Sequence, residues 1–432
     1  MYNILKSIRK GGGAACTLAA LTALTPTTTL AQATVFAEGL TNPSGIYVDD
    51  DGYLWVTSEG TGNDDAGVSV ITPDGVVHPF ITGLPSTMVD EGPSGAHHVY
   101  FNNDVELLIV QGEGTGDLSE SILLVDTTGF TPGDDPLGPS DIDAVYNLGD
   151  FVDGALGEGS NPFALTFVPR SDLVFVSDSK ANAIVQGEDG VLSILTQLPD
   201  VPNSGTTGPP MVDAVPTGID YQEGKLLVAT LTGFPFNEGA ASIFAIDTLG
   251  SVTKLIGDLT TVVDVQGIPG GGIVFLEHRF GTDAGALYKF KDGELTELAT
   301  GLDQPVGLRI GHRGEVYVSL LVKGQIVVVE GVVTAAEQEL PDRVRPMLVQ
   351  AYPNPFVEGV NLAVNVEEAG SGNLTIVDVL GRTVYSQDFS RLEAGTQRLR
   401  WDTDTSERLS PGTYLYRVEV AGSVANGVVV KQ

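Results

Sequence analysis

The stretch that decides the fold is Asn42 to Ser58, "NPSGIYVDDDGYLWVTS". It opens on a Pro-x-Gly turn, runs through a short strand of branched and aromatic residues, turns at an acidic sequence ending in glycine, and continues as a second strand. Apolar runs bounded by Gly, Pro and Asp are typical of β-strands joined by tight turns. The stretch therefore predicts an antiparallel β-hairpin.

Hairpins of this kind recur along the chain. The further openings are "GPSGAHHV", "NPFALTF", "VPTGIDY", "VVDVQGI" and "QPVGLRI", and strands such as "LVFVSD" and "EVYVSL" follow them. The corresponding turn residues are 42 to 69 positions apart: Gly45, Gly95, Ala164, Gly218, Val265 and Gly307. Roughly 40–50 residues make one four-stranded propeller blade, and the longest interval contains a loop insertion, "FTPGDDPLGPSDID". We therefore predict an all-β fold with a six-bladed β-propeller over residues 34–333.

A spare strand, "ATVFAEGL" at residues 33–40, precedes the first turn. We expect it to pair as the outer strand of the last blade. This pairing would close the ring without leaving a long unpaired edge.

Residues 1–33 have the features of a secretory signal peptide. Lys6, Arg9 and Lys10 give a positive start, "AACTLAALTAL" an apolar core, and "LAQA" a small-x-small cleavage pattern. The core is shorter than the roughly 20 apolar residues of a membrane span, and no later stretch reaches that length, so we expect no transmembrane segment. Cys16 is the single cysteine, so the mature chain is expected to have neither disulfides nor thiolate metal sites.

The charge of the chain restricts its partners. Its 432 residues carry a formal net charge of −34. Nucleic acids and anionic membranes select basic surfaces, so the composition argues against both. An acidic exterior is instead expected to keep an exported protein soluble.

The C-terminal part begins at "AYPNPFV", Ala351 to Val357, after a charged, Pro-containing linker at residues 334–350. Alternating apolar segments around Gly and Pro-Gly turns predict about seven short strands and an immunoglobulin-like β-sandwich. The motifs "YPNPF", "DVLGR" and "PGTYLYRV", in that order and with a lysine near the end, resemble the type A C-terminal sorting domain of the type IX secretion system. Over residues 351–432 this resemblance implies that the secretion machinery is a partner and that the protein is secreted or held at the cell surface. An adhesive or carbohydrate-binding module is the alternative.

Residues 34–333 also resemble a known family. The segments "SNPFALTF", "VSDSKAN", "VPTGI" and above all "LTGFPFNEGAASIFAID" are similar to the secreted propellers of the ScyD/ScyE family, named for scytonemin biosynthesis. The His97-His98 pair and the long second blade depart from that pattern. The resemblance implies an exported six-bladed propeller and no defined reaction, because a fold alone does not confer function.

Oxygen-rich residues are predicted at one end of the propeller, where the second strand of each blade ends and the first strand of the next begins. Four carboxylates are candidate ligands for calcium, which takes six to eight oxygens: Glu59, Asp178, Asp264 and Glu277. The candidate ligand-binding residues are Asn42, Glu113 and Asn161, and His278 is a candidate acid/base. Acidic residues at strand ends also cap turns or face solvent, so that alternative stays open.

Other signals have ordinary structural explanations. His97 and His98 are adjacent on a strand and point to opposite faces, so they do not easily share a metal. "DDDG" at Asp49 to Gly52 is interpreted as an acidic hairpin turn in preference to a calcium loop. No Gly-rich phosphate loop follows a strand and opens a helix, so nucleotide binding is not indicated.

Two function classes follow. In the first, an exported surface or extracellular propeller binds a small molecule, a glycan or a protein. In the second, a calcium-dependent propeller hydrolase or lyase resembles the gluconolactonase-like group, although the sequence does not show the full ligand set of that group. Whether the protein is an enzyme is left open at this point.

Overall fold

The structure is a computed structural model. The residues it describes are 32–89, 92–103, 105–168, 171, 173–188, 190–280, 284–334, 337, 349–352, 354–357, 359–366, 369–378, 382–393, 395–402, 409–421 and 423–431. The predicted signal peptide, apart from residues 32 and 33, and most of the predicted linker lie outside them.

Among the described residues, β1 (Thr34–Glu38) is followed by five antiparallel four-stranded sheets and by three strands that build a sixth such sheet together with β1. The first sheet contains β2 (Pro43–Val48), β3 (Leu54–Ser58), β4 (Ala66–Ile71) and β5 (Val77–Leu84). After a two-stranded ribbon of β6 (Thr87–Val89) and β7 (Gly92–Ser94), the second sheet contains β8 (Ala96–Phe101), β9 (Glu106–Gln111), β10 (Ser121–Asp126) and β11 (Ala144–Asn147). The third sheet contains β12 (Pro162–Phe167), β13 (Val174–Asp178), β14 (Ala183–Glu188) and β15 (Val191–Gln197).

The remaining sheets of this region follow the same plan. A ribbon of β16 (Val201–Pro202) and β17 (Met211–Val212) leads to the fourth sheet, with β18 (Pro216–Gln222), β19 (Lys225–Thr230), β20 (Ala241–Asp247) and β21 (Val252–Leu259). The fifth contains β22 (Val262–Gly267), β23 (Ile273–Glu277), β24 (Gly285–Lys291) and β25 (Glu294–Leu302). The sixth contains β26 (Pro305–Ile310), β27 (Val316–Leu320), β28 (Gln325–Val329) and, as its outermost strand, β1.

The six sheets are arranged in a ring around a central channel. Their first strands contact one another in the cyclic order β2, β8, β12, β18, β22, β26 and again β2. Strand β1 pairs antiparallel with β28, so that Thr34 lies opposite Val328 and Glu38 opposite Gln325. The N-terminal strand therefore completes the last sheet, and its predicted pairing is confirmed.

Apolar side chains fill the spaces between neighbouring sheets. Trp55 and Phe80 of the first sheet share one core cluster with Ile109 and Leu123 of the second. The middle strands are buried on both faces, as in β3, where Leu54 to Thr57 are all buried. Their continuous apolar sequences reflect this two-sided burial, because each face packs against another sheet.

Each first strand contains an irregularity near its start. The register of pairing with the second strand shifts between Pro43 and Ile46, and the other five first strands shift at the corresponding place. Such bulges redirect the side chains that follow them. The first strands can therefore hold small residues such as Gly45 against the neighbouring sheet and present polar side chains to the channel.

Two helical features differ from the all-β expectation. The long second interval contains a 3₁₀ turn, Pro139–Asp141, and the helix α1 (Gly149–Leu156). Gly157 ends the helix in the left-handed conformation, with φ of 73°, and its N–H donates to the carbonyl of Asp153. Glycine adopts this conformation without the steric cost that other residues incur.

The C-terminal region has seven strands among its described residues. They are β29 (Val349–Tyr352), β30 (Gly359–Val366), β31 (Gly370–Asp378), β32 (Thr383–Leu392), β33 (Gly395–Asp402), β34 (Gly412–Val420) and β35 (Ser423–Lys431). One sheet has the order β29-β30-β33 and the other β32-β31-β34-β35. Their shared core centres on Trp401, whose ring lies 5.3 Å from Phe356 and 5.5 Å from Tyr414.

The "YPNPF" motif is bonded to the last strand of this region. The side-chain amide of Asn354 donates to the Val428 carbonyl at 3.1 Å and accepts from the Val430 N–H at 2.8 Å. Lys431 donates to the Val357 carbonyl and lies over the Phe356 ring. The first and last segments of the C-terminal region therefore contact each other directly. This contact explains why the region has one motif at its start and a lysine near its end.

Candidate functional site

The predicted site residues lie mostly at one end of the ring. We call this end the upper face: there the first strand of each sheet begins and the second strand ends. The pairings Pro43–Ser58, Pro162–Asp178 and Val262–Glu277 define it. The opposite end, which carries the turns between first and second strands, is the lower face.

Several of the predicted residues hold the turns of the upper face. Asp178 accepts hydrogen bonds from the Ser160 hydroxyl at 2.5 Å, the Asn161 N–H at 2.9 Å and the Ala181 N–H at 3.1 Å. The side chain of Asn161 accepts from the Glu113 N–H at 2.9 Å and so connects the second and third sheets. These contacts are those of turn-capping residues.

Two further residues have similar local partners. The carboxylate of Glu113 forms an ion pair with Lys180. The side-chain amide of Asn42 donates to the Gly60 carbonyl at 2.7 Å. The first contact connects the second and third sheets, and the second connects the segments before β2 and after β3 within the first sheet.

Asp264 does not lie on a turn at the rim, as the sequence had suggested, but inside the channel. It is the third residue of β22, and the register shift between Val262 and Asp264 directs its side chain inward. Its carboxylate accepts from the Leu308 N–H at 2.7 Å and the Val265 N–H at 2.8 Å. Burial raises the pKa of this carboxyl to about 7, although these two hydrogen bonds oppose the shift.

The channel around Asp264 is narrow and polar. Side chains from the first strands line it, including His98, Asp220 and Arg309, and its volume is about 20 Å³. That volume holds about one water molecule. Burial, with Arg309 nearby, lowers the pKa of His98 to about 3, so this histidine is neutral at physiological pH.

Glu59 is buried at the end of β3, with a relative exposure of 8%. Burial raises the pKa of its carboxyl to about 8, and a hydrogen bond with Ser44 opposes part of this shift. The side chain is therefore largely protonated at neutral pH. A protonated carboxyl is a poor ligand for a hard cation.

Glu277 and His278 follow one another at the end of β23. Glu277 accepts from the Thr260 N–H at 2.8 Å and from Nε of Arg279 at 2.7 Å. His278 Nδ1 lies 3.0 Å from the Pro305 carbonyl, so it carries the proton and donates. Burial lowers the pKa of His278, which keeps the imidazole neutral.

The four predicted metal ligands do not form one cluster. Among the described residues, no three His, Cys, Asp or Glu side chains lie close enough together to hold a metal ion. The oxygens of Asp178 and Glu277 already accept hydrogen bonds from donors of the protein. In this geometry the described residues show no shared calcium site.

The upper face has a cleft that the sequence reasoning did not identify. It has a volume of about 670 Å³ and lies where the loops after β19 and β23 meet the link between β21 and β22. Its lining includes Pro235, Phe236, Glu238, Thr260, Arg279 and Phe280. A cleft of this size is within the usual range for small-molecule sites.

Aromatic rings form one wall of this cleft. The Phe236 and Phe280 ring centroids are 4.5 Å apart, and Phe234 lies 6.0 Å from Phe236. Phe234 is 63% exposed and Phe280 54% exposed. Large apolar groups exposed together on a folded protein commonly mark a binding surface.

Local hydrogen bonds hold this wall in place. Phe236 has a positive φ of 59°, and its N–H donates to the Gly233 carbonyl at 3.1 Å. The Gly233 N–H in turn donates to the Asp213 carbonyl at 3.0 Å. A left-handed conformation is uncommon for a bulky residue, and it persists only where the surroundings maintain it.

Polar side chains also line the cleft. Arg279 bonds to the buried Glu277 and, through Nη2, to the Tyr288 hydroxyl at 3.0 Å, so its guanidinium is fixed at the edge of the cleft. The sequence signal for this site was "GFPFN", in which two phenylalanines occupy a loop where polar residues are usual.

Comparison with known proteins identifies one part of the chain. Residues 350–432 match the family described as "Secretion system C-terminal sorting domain". The predicted sorting domain of the type IX secretion system is confirmed, and it indicates a secreted or cell-surface protein. No curated protein matches the chain.

Solved structures similar to the chain include three proteins of bacteria. Virginiamycin B lyase from Staphylococcus aureus is 15% identical, with a TM-score of 0.44 over 69% of this chain and 97% of the other. A gluconolactonase from Xanthomonas campestris is 12% identical, with a TM-score of 0.47 over 69% and 89%. The calcium-binding protein regucalcin from Agrobacterium tumefaciens is 10% identical, with a TM-score of 0.44 over 69% and 94%.

The ring of sheets is a β-propeller. In the part of the chain that the structure describes, no helix has both the length and the apolar character needed to cross a membrane. The protein thus combines a β-propeller with a C-terminal sorting domain for export.

Proposed function

We propose that this protein is an exported binding protein that holds an extracellular ligand in the aromatic cleft of its upper face. The observation that carries the proposal is the cleft of about 670 Å³, whose lining contains the neighbouring rings of Phe236 and Phe280 together with the charged side chain of Arg279. The binding part is a six-bladed propeller in which each four-stranded sheet is one blade. The sorting domain is an immunoglobulin-like sandwich.

The lining of the cleft favours a glycan. The C–H face of a sugar ring packs against aromatic side chains, and its hydroxyls need hydrogen-bonding groups around them. Phe236 and Phe280 supply the apolar contact, while Thr260, Arg279 and Glu238 lie on the same cleft and supply polar groups. A purely apolar ligand would displace water from the exposed Glu238 carboxylate without replacing its hydrogen bonds, at a free-energy cost.

The route to the ligand follows from the two ends of the chain. The signal peptide at residues 1–33 carries the protein across the inner membrane, and the sorting domain then directs it through the outer membrane. The linker at residues 334–350 is the segment where processing is expected. The resemblance of residues 34–333 to the ScyD/ScyE family agrees with this route, and its most specific segment, "LTGFPFNEG", contributes Phe236 to the cleft.

No observation on the described residues favours the alternative, a metal-dependent hydrolase or lyase. Glu277 accepts hydrogen bonds from Thr260 and Arg279, which hold its carboxylate at a fixed position. His278 is buried and donates to the Pro305 carbonyl. Both residues therefore serve as supports beneath the cleft in this proposal.

Binding is tested with the full mature chain on a glycan array, followed by titration with the best oligosaccharide. Phe236→Ala and Phe280→Ala should each weaken binding by about tenfold, because a stacking aromatic ring contributes on the order of 1–2 kcal/mol. Tyr146→Ala is the matched control, since Tyr146 is 49% exposed on the outer strand of the second sheet.

Two results would contradict the proposal. One is a glycan affinity that Phe236→Ala and Phe280→Ala leave unchanged while both variants melt at the temperature of the parent. The other is an equal loss of affinity with Tyr146→Ala, because that would place the binding outside the cleft.

A further inference from the structure

A second cleft lies on the lower face, between the first and second sheets. It has a volume of about 570 Å³. The turn between β2 and β3 forms one side, and the turn between β8 and β9 forms the other. Because it is at the opposite end of the ring from Phe236 and Phe280, it is separate from the glycan cleft.

Three aromatic rings contribute to its inner wall. The Phe101 ring centroid lies 5.3 Å from that of Tyr47 and 5.0 Å from that of Trp55. All three residues line the cleft. The guanidinium of Arg309 already lies 4.6 Å from the Tyr47 ring centroid, so this aromatic group makes one cation–π contact within the protein.

The acidic turn at the rim contains three aspartates, of which one has a structural role and two are exposed. Asp49 Oδ1 accepts from the N–H groups of Asp51 and Tyr53, and Oδ2 accepts from the Trp55 indole at 2.9 Å. Asp49 therefore maintains the turn and orients Trp55, which agrees with the interpretation of "DDDG" as a hairpin turn. Asp50 and Asp51 are exposed on the cleft.

The opposite rim is also fixed. Asn102 and Asn103 line the cleft, and their side-chain amides donate to Glu106 Oε2 at 2.9 Å and 2.6 Å. The cleft thus has aromatic rings inside and negative charge outside, and both of its turns are held by internal hydrogen bonds.

We propose that this cleft binds small organic cations, namely protonated amines or quaternary ammonium groups. The half-buried rings of Tyr47 and Phe101 attract such cations because the ring quadrupole is negative on their faces, and nearby carboxylates add a Coulombic attraction. An anion would be repelled by Asp50 and Asp51. Calcium would need six to eight oxygens, and the described residues contain no group of three metal-ligating side chains.

The test uses the full mature chain and choline chloride as the probe in isothermal titration calorimetry. Sodium chloride at the same ionic strength controls for screening, and 3,3-dimethylbutan-1-ol is the neutral analogue of the same shape. Choline should bind, and the neutral alcohol should bind at least tenfold more weakly. Equal affinity for the two would overturn the proposal, as would the absence of a choline signal above that of sodium chloride.

Variants locate the site. Asp50→Asn with Asp51→Asn should weaken choline binding by about tenfold or more and leave the turn intact, because its bonds go to Asp49. Glu188→Gln with Asp200→Asn removes the same charge from exposed positions outside the cleft and should leave affinity unchanged. Equal losses in the two double variants would show general surface attraction and refute the site.

A last variant addresses the aromatic wall. Phe101→Leu keeps an apolar side chain but removes a ring, so choline affinity should fall several-fold while the neutral alcohol is less affected. An unchanged ratio of the two affinities in a folded Phe101→Leu variant would contradict the cation–π contribution.

Discussion

The buried carboxyl of Glu59 makes a quantitative prediction about stability and pH. Burial raises its pKa from 4.5 to about 8 in the folded protein. Between these values the folded state keeps a proton that the unfolded chain has lost. The stabilisation is therefore fully present below about pH 4.5 and is lost as the pH rises through 8.

The size of the effect follows from the two pKa values. Their difference of about 3.5, at about 1.4 kcal/mol for each pKa unit, corresponds to an upper bound of about 5 kcal/mol in the free energy of unfolding. For a domain of this size the loss lowers the melting temperature by roughly 10 °C. Glu59→Gln keeps the shape of the side chain but cannot titrate. Between pH 4.5 and pH 9 its melting temperature should therefore fall by roughly 10 °C less than that of the parent.

The assay is differential scanning calorimetry of the parent, Glu59→Gln and Glu294→Gln across this pH range. Glu294 is exposed on β25, so its variant should follow the parent. Asp264 titrates in all three proteins, and its contribution cancels in the comparison. Parallel curves of melting temperature against pH for the parent and Glu59→Gln would refute the reasoning.

The remaining predictions concern ring closure, calcium, the sorting domain and processing. Deleting residues 33–40 removes β1 and should lower the melting temperature sharply, and a variant that melts with the parent would contradict closure by this strand. Millimolar calcium should raise the melting temperature no more than sodium chloride of equal ionic strength, because the oxygens of Asp178 and Glu277 already accept hydrogen bonds from the protein. A calcium-specific rise that is abolished in the double variant Asp178→Asn with Glu277→Gln would instead establish the metal site. Trp401→Ala should destabilise the sorting domain by roughly 3–5 kcal/mol, measured as a lower calorimetric transition while the propeller transition is unchanged. Mass spectrometry of the secreted protein should find a C-terminus within or near residues 334–350, and recovery of only the full-length chain would count against cleavage.

The sheets were predictable from the sequence because their signals are local. Each opening carries a turn residue and a short apolar strand within about fifteen positions, and the turn chemistry of Gly52 or Pro305 acts on immediate neighbours. The pairing of β1 with β28 also followed, since a ring with an unpaired edge is unfavourable. The sorting domain was identified by several short motifs in a fixed order.

The directions of individual side chains were harder to predict. Asp264 was expected at the rim, but the bulge at the start of β22 turns it into the channel, and no residue type in the sequence marks that bulge. Asp178 was correctly placed at a strand end, yet only the structure shows that its oxygens bond Ser160 and Ala181.

The aromatic cleft depends on contacts between distant segments. Phe236 and Phe280 meet from loops of two different sheets, and their 4.5 Å separation is set by how the fourth and fifth sheets pack. A sequence pattern describes each loop alone, so it cannot show that the two rings share one wall. The exposed "GFPFN" segment was the available signal.

The pairing of β1 with β28 has a consequence for the order in which the ring folds. Glu38 and Gln325 lie opposite each other although they are 287 positions apart. The first strand of the ring to be synthesised therefore has no partner until nearly the whole ring has been made. Contacts of such long sequence separation form slowly, so the ring closes only after its last sheet has been synthesised.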